Sequence, residues 1–134
     1  MIFTFFAWLM ANLELMQFLL NGLIAKEKAQ VYMQKRILDH YTQYGYGLYA
    51  VEKKKIVNLS FVGLISPSID QKQLIELGYR FHPNYWGRGL ATEAALAVCQ
   101  YAFDQLGIKK LNSIIDPQNF RSLGVAKRAG WLFW

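Results

Sequence analysis

Apolar and polar residues recur along this chain with two periods, and each change of period marks an element. Between residues 25 and 44, Ala29, Met33, Ile37 and Tyr41 return every four positions, with Lys26, Gln30, Gln34 and Arg36 elsewhere around the cylinder. That spacing predicts an amphipathic helix. Gly45 follows it, where a left-handed cap closes a helix. Residues 46–52 and 56–65 read as the two strands of a hairpin, with Lys53, Lys54 and Lys55 as its solvated turn. Pro67 and Ser68 open a loop, and residues 73–81 read as a third strand. Its alternation sets Ile75, Leu77, Tyr79 and Phe81 on an apolar face and Leu74, Glu76, Gly78 and Arg80 on the other. An acid, a missing side chain and a base on that second face suit a surface against which something docks.

The helical period returns over residues 89–106, with Leu90, Ala94, Val98 and Tyr101 as the inner stripe and Gly107 as the cap. Residues 109–115 predict another strand, broken by Asp116-Pro117. A last helix is expected over 119–129, ending at Gly130, and residues 131–134 open one more strand. At the other end, Met1 to Met10 is apolar except for Thr4. No basic segment or small-residue cleavage site marks a signal peptide there. A membrane span would carry Asn12, Glu14 and Gln17 near its middle, which is costly. Glu14, Gln17 and Asn21 instead share one helical face, as in a helix covered by the core or by a partner. The whole order predicts a single α/β domain over 1–134.

Composition narrows the function. The chain has 134 residues, is 54% hydrophobic and 18% charged, and so can fill a core. One Cys excludes an internal disulfide, and with only two His a Cys/His zinc cage is out of reach. No metal site is expected, and a reducing, cytoplasmic setting fits best. The net charge of +6 points to an anionic partner. The lysines are spread along the chain, with no nucleic-acid-binding motif, so direct nucleic-acid binding is not expected. Cys99 sits in an apolar helical run and reads as core. His40 and His82 read as structural residues, and Trp86 as a packing wedge.

Chemistry concentrates between the third strand and the helix that follows it. There the chain runs Tyr85-Trp86-Gly87-Arg88-Gly89-Leu90-Ala91-Thr92-Glu93-Ala94. A helix start offers unpaired N–H groups and the positive end of its dipole, and glycines ahead of it let an anion reach the backbone. Gly87 and Gly89 therefore describe either a phosphate cradle, with Arg88 as a side-chain donor, or a tight turn. The dinucleotide fingerprint needs a third glycine where Thr92 stands, and the ATP-binding P-loop needs a Gly-Lys-Ser/Thr that is absent.

The six residues Asn84-Tyr85-Trp86-Gly87-Arg88-Gly89 resemble the acyl-CoA-binding loop of the GNAT acetyltransferases, Gln/Arg-x-x-Gly-x-Gly/Ala, with Asn84 in place of Gln or Arg. The wider wording is similar to the branch containing ribosomal-protein N-terminal acetyltransferases: Glu76 to Tyr79, His82-Pro83 and Trp86 through Gly89, then Ala91-Thr92-Glu93-Ala94. A second block downstream, with Asn119, Ser122, Ala126, Lys127, Gly130 and Trp131, resembles the family's Asn-x-x-Ser…Lys-x-Gly-Phe segment. The resemblance implies a mixed, mostly antiparallel sheet flanked by helices, with residues 74–131 as the acyl-CoA-binding core.

It also implies roles. Backbone groups of Tyr79, Arg80 and Phe81 would pair with the pantetheine arm of acetyl-CoA, and amides of Gly87, Arg88, Gly89, Leu90 and Ala91 would hold its pyrophosphate. Asn119 would contact pantetheine. Ser122 would donate to the leaving thiolate, and Glu76 would act as a general base through water. The bland alternatives are a Glu76–Arg80 pair and a local helix cap at Ser122. The implied acceptor is a protein N-terminal α-amine, with a small-molecule amine close behind and a non-catalytic acyl-CoA-binding module as the third reading. The family's first strand is not recognisable before Trp8, and its strands after the last helix are missing beyond Trp134. The isolated chain is accordingly expected to be a homo-oligomer or poorly soluble.

Overall fold

The computed structural model describes residues 26–53, 56–66, 68–69 and 71–131. The expectations for the N-terminal apolar segment, for Lys54 and Lys55, and for a strand over 132–134 lie outside those residues.

The first helix forms where the four-residue spacing predicts it, but not with uniform winding. It runs as α1 (Lys26–Met33), a π turn over Gln34–Leu38, and α2 (Asp39–Tyr44). A spacing of four drifts by about 40° per turn around a 3.6-residue helix. The wider π turn, in which the Asp39 N–H donates to the Gln34 carbonyl, takes up that drift. Ile37 is thereby buried and Tyr41 half-buried. Gly45 ends α2 in the left-handed conformation at φ 75°. His40 then ties α2 to the sheet. Its Nε2 accepts from the Ser66 N–H at 3.0 Å, so Nδ1 carries the proton toward the Tyr46 carbonyl at 2.7 Å.

The hairpin is β1 (Leu48–Lys53) and β2 (Ile56–Ile65), and β5 (Glu76–Phe81) pairs antiparallel with the other edge of β2. Between them, β3 (Ser68–Ile69) and β4 (Lys72–Gln73) form a separate small ribbon. The expected strand over 73–81 is shorter than its sequence pattern for that reason. Gly63 is the tightest point of the sheet. A Cβ there would stand 2.1 Å from the Gly47 carbonyl oxygen, so no other residue fits without moving backbone.

The apolar face read on the third strand is the one that packs. Leu77 and Phe81 are buried and Tyr79 is half-buried, while α3 (Leu90–Asp104) lies across β2 and β5. Val62, Leu64 and Leu77 from the sheet meet Ala95, Val98 and Ala102 of α3 and Val125 of α4 (Phe120–Arg128). The inner stripe of α3 differs from expectation. Tyr101 is 41% exposed and Leu90 only half-buried, whereas Ala95 and Ala102 are fully covered. Small side chains let the helix approach the sheet closely, and Tyr101 is left at the flank, edge-on to Tyr49 at 6.3 Å.

Residues 109–115 also depart from expectation. They form no strand: one parallel bridge, Glu76 to Asn112, joins them to β5. No described helix is long and apolar enough to cross a membrane.

Candidate active site

The loop from β5 to α3 is shaped by its own side chains. The His82 ring accepts from the Asn84 N–H at 3.1 Å and so starts a 3-10 turn over Pro83–Tyr85. Trp86 folds back and donates its indole N–H to the Phe81 carbonyl at 2.7 Å, with the Arg121 guanidinium 4.3 Å above its ring. Trp86 is thus the wedge expected from sequence. Past it, Gly87 and Gly89 hold φ 74° and 75°, a region closed to most L side chains, and a Cβ at either would meet nothing within 4 Å. The space in front of them is open. Gly89 is the N-cap of α3 and has no side chain to cap it, so the amides of the first turn have neither an intrahelical acceptor nor a capping oxygen. Arg88 lies 5.5 Å from the Tyr85 ring, and Arg128 reaches across from α4 to Thr92 Oγ1 at 3.3 Å. A helix start of this kind leaves donors and open space of the sort that anions use.

Beside this loop runs the edge of β5 that, among the described residues, has no strand partner beyond the single Glu76–Asn112 bridge, and hydrogen-bond parity tells which groups face it. The Leu77 N–H goes to the Asn112 carbonyl at 2.8 Å, away from β2, and the opposite Leu64 N–H goes to Gly47 on the β1 side. Leu77, Tyr79 and Phe81 therefore turn their backbone groups toward the open edge, while Glu76, Gly78 and Arg80 bond to β2. This corrects one expectation. The backbone of Arg80 belongs to the ladder with Phe61 of β2 and cannot serve the edge. The Phe81 carbonyl is also engaged, by Trp86.

Glu76 is half-buried, and that burial raises its pKa above the ordinary carboxylate range. A hydrogen bond from the Ile114 N–H and the charge of Arg80 oppose the rise. Across the cleft, Asp116 Oδ1 accepts from the Gln118 N–H at 2.8 Å and turns the chain into α4. Asn119 is the N-cap, its Oδ1 accepting from the Ser122 N–H at 3.2 Å. The capping function weighed for Ser122 thus belongs to the Asn119 side chain, with Ser122 supplying the amide. The Tyr79 hydroxyl is buried without a well-formed hydrogen bond. Burial raises its pKa, and the neighbouring Ser122 side chain and Arg128 charge pull it back.

Tyr79 and Phe81 thus present backbone at the edge of β5, and Gly87 to Ala91 form the loop and first turn of α3. Asn119 and Ser122 begin α4 with Ser122 beside the Tyr79 phenol, while the Glu76 side chain stands on the other face of β5. Sequence reasoning missed Ser113, Arg121 and Arg128. The two arginines stand seven apart on α4, a helical repeat that could have flagged them. No cluster of metal-ligating side chains occurs among the described residues.

The profile of the acetyltransferase (GNAT) domain family matches residues 3–131. The chain belongs to the GNAT acetyltransferases.

Within the family, a Bacillus subtilis protein, YkkB, is 35% identical over 88 residues, covering 65% of this chain and 51% of its own length. The chain thus spans about half the length of that curated relative. An acetyltransferase structure from Agrobacterium tumefaciens superposes with a TM-score of 0.81 at 25% identity, over 96% of this chain and 72% of its own. The fold also matches a Vibrio cholerae spermidine N-acetyltransferase in complex with CoA and spermine, at a TM-score of 0.77 and 18% identity, over 96% and 73% of the two chains. The GNAT fold expected from the two motif blocks is therefore the fold observed.

Proposed function

We propose that this chain transfers an acetyl group from acetyl-CoA to a primary amine. The observation that carries the reading is the juxtaposition of an uncapped, glycine-fronted helix start with the open edge of β5. Acetyl-CoA supplies an acyl group already activated as a thioester. Amides from Gly87 to Ala91, aided by Arg88, hold the pyrophosphate. The open edge offers the Tyr79 backbone and the Phe81 N–H to the pantetheine arm, as an added strand would be held. In this reading Asn119, at the start of α4, contacts the pantetheine arm.

Glu76 takes the amine's proton through a water, and its raised pKa makes it a better base than an exposed carboxylate. The Ser122 hydroxyl donates toward the departing thiolate, next to the Tyr79 phenol. Neither group needs a metal for these steps.

A small-molecule amine is the acceptor we favour: a neighbour with a TM-score of 0.77 holds spermine, and an Escherichia coli spermidine N(1)-acetyltransferase is 37% identical over 49 residues, whereas a ribosomal-protein-S5-alanine acetyltransferase superposes less well, at 0.63. A protein N-terminal α-amine satisfies the same chemistry. One assay separates the readings: acetyl-CoA turnover with polyamines, small monoamines and peptides with free or blocked N-termini. Turnover on polyamines or monoamines supports the favoured acceptor, and turnover only on free peptide N-termini replaces it. Binding of CoA with no turnover on any amine would leave an acyl-CoA-binding module.

A further inference from the structure

The parallel pairing between β5 and residues 109–115 stops after one bridge, and the chain itself shows what stops it. The Asn112 N–H donates to the Ile75 carbonyl at 2.9 Å and the Leu77 N–H to the Asn112 carbonyl at 2.8 Å. The next rung of a parallel ladder would be the Ile114 N–H on the Leu77 carbonyl. That rung is absent. The Ser113 hydroxyl donates to the Leu77 carbonyl instead, at 2.9 Å, and the Ile114 N–H is turned onto the Glu76 carboxylate. Two side chains thus take over both halves of one backbone rung. The Leu77 carbonyl and the Ile114 N–H each keep a partner, so that rung is lost without leaving either of them unsatisfied. Beyond this point the second chain leaves through Asp116 toward α4, and the Tyr79 backbone faces the gap.

We propose that Ser113 is a positioning residue: by occupying the Leu77 carbonyl it ends the parallel ladder and holds the β5 edge open for the pantetheine arm. The proposal rests on the acetyl-CoA reading above. Without the hydroxyl, the Leu77 carbonyl is left to recapture the Ile114 N–H, and the ladder can zip forward across the slot. Closing the slot would obstruct pantetheine while leaving the helix start free for the nucleotide end of CoA. The two parts of the molecule therefore make separate probes.

The test compares CoA with adenosine 3′,5′-bisphosphate, which lacks pantetheine, by calorimetry on the full chain. Ser113→Ala should weaken CoA by about tenfold, the scale of a lost hydrogen bond to a positioned group, and leave the bisphosphate within twofold of wild type. Ser113→Thr keeps the hydroxyl and suits extended backbone, so it should restore CoA affinity. Unchanged CoA binding by the Ala variant would overturn the proposal. Equal weakening of both probes would also overturn it, since that marks a general loss of structure. A Thr variant that binds CoA no better than the Ala variant counts against it as well. Wild-type protein that binds neither probe would instead remove the acetyl-CoA reading, and this inference with it.

Discussion

The two helices α3 and α4 pack on each other, and they begin differently. The start of α4 is closed: Asn119 folds its side-chain oxygen onto the Ser122 N–H. The start of α3 is open, because Gly89 in the same structural position has no oxygen to offer. Both helix starts carry the same orphan amides and the same dipole. A helix that caps itself orients its own side chains, here Ser122 against Tyr79. A helix that does not leaves its amides for a ligand, and the glycines remove the side chains that would stand in the way.

The contrast is broken most severely at the open end. Gly89→Asp places a side chain and a negative charge where an anion would lie, and forces an L residue to φ 75°. CoA should stabilise wild type against heat by mass action and fail to stabilise this variant, a loss of at least about 100-fold in affinity. Absence of any shift for wild type at millimolar CoA would mean that the open helix start is only a turn.

Between the two helix starts lies β5, and Glu76 is the next largest test. Glu76→Gln removes the base but keeps an oxygen for the Ile114 N–H, so acetylation should slow by about 100-fold with CoA affinity nearly unchanged. Equal loss of both would assign Glu76 to the architecture alone. The pH profile adds a sign. Burial raises the Glu76 pKa, so the wild-type rate should climb with pH through a value above the ordinary ~4.3, and the Gln variant should lack that limb. Stability runs the other way. A raised carboxyl pKa favours the protonated fold, and this contribution is lost as pH rises through the folded value. The Gln variant should therefore gain on wild type in thermal stability across that window.

The closed end should give a milder effect. Asn119→Ala removes the α4 cap and should cost about 1 kcal/mol of stability, read by denaturant midpoint, while Asn119→Asp retains most of it. The smallest change is expected at Arg121, whose guanidinium lies over Trp86. Arg121→Ala should weaken CoA by a few-fold, through a looser loop and one fewer positive charge. If Asn119→Ala proved as damaging to CoA binding as Gly89→Asp, the distinction between a self-capped and a ligand-capped helix would fail.

Much of this was legible in the chain. The alternation of Leu77, Tyr79 and Phe81, the stop at Gly45 and the glycine-fronted start of α3 are local: each follows from the backbone geometry of a few adjacent residues. The two motif blocks were enough to name the family. Which alanines of α3 touch the sheet was not legible, because small residues are chosen by how closely two elements approach. That Arg80 bonds into β2 was hidden too, since an alternating strand pattern tells faces apart but not edges. The end of the pairing at Ser113 was the least visible, for its cause is a contact between residues 36 apart in sequence.

By itself, then, the sequence determined the main helices, the hairpin strands and β5, their order, the glycine-fronted helix start and the family, because periodicity and turn chemistry act over short spans. Only the tertiary structure decided which strand edge stays open, which helix start is closed, and which side chains stand in for a missing rung. Those outcomes depend on where distant hydrogen-bonding groups find their partners, and buried backbone groups nearly always find one.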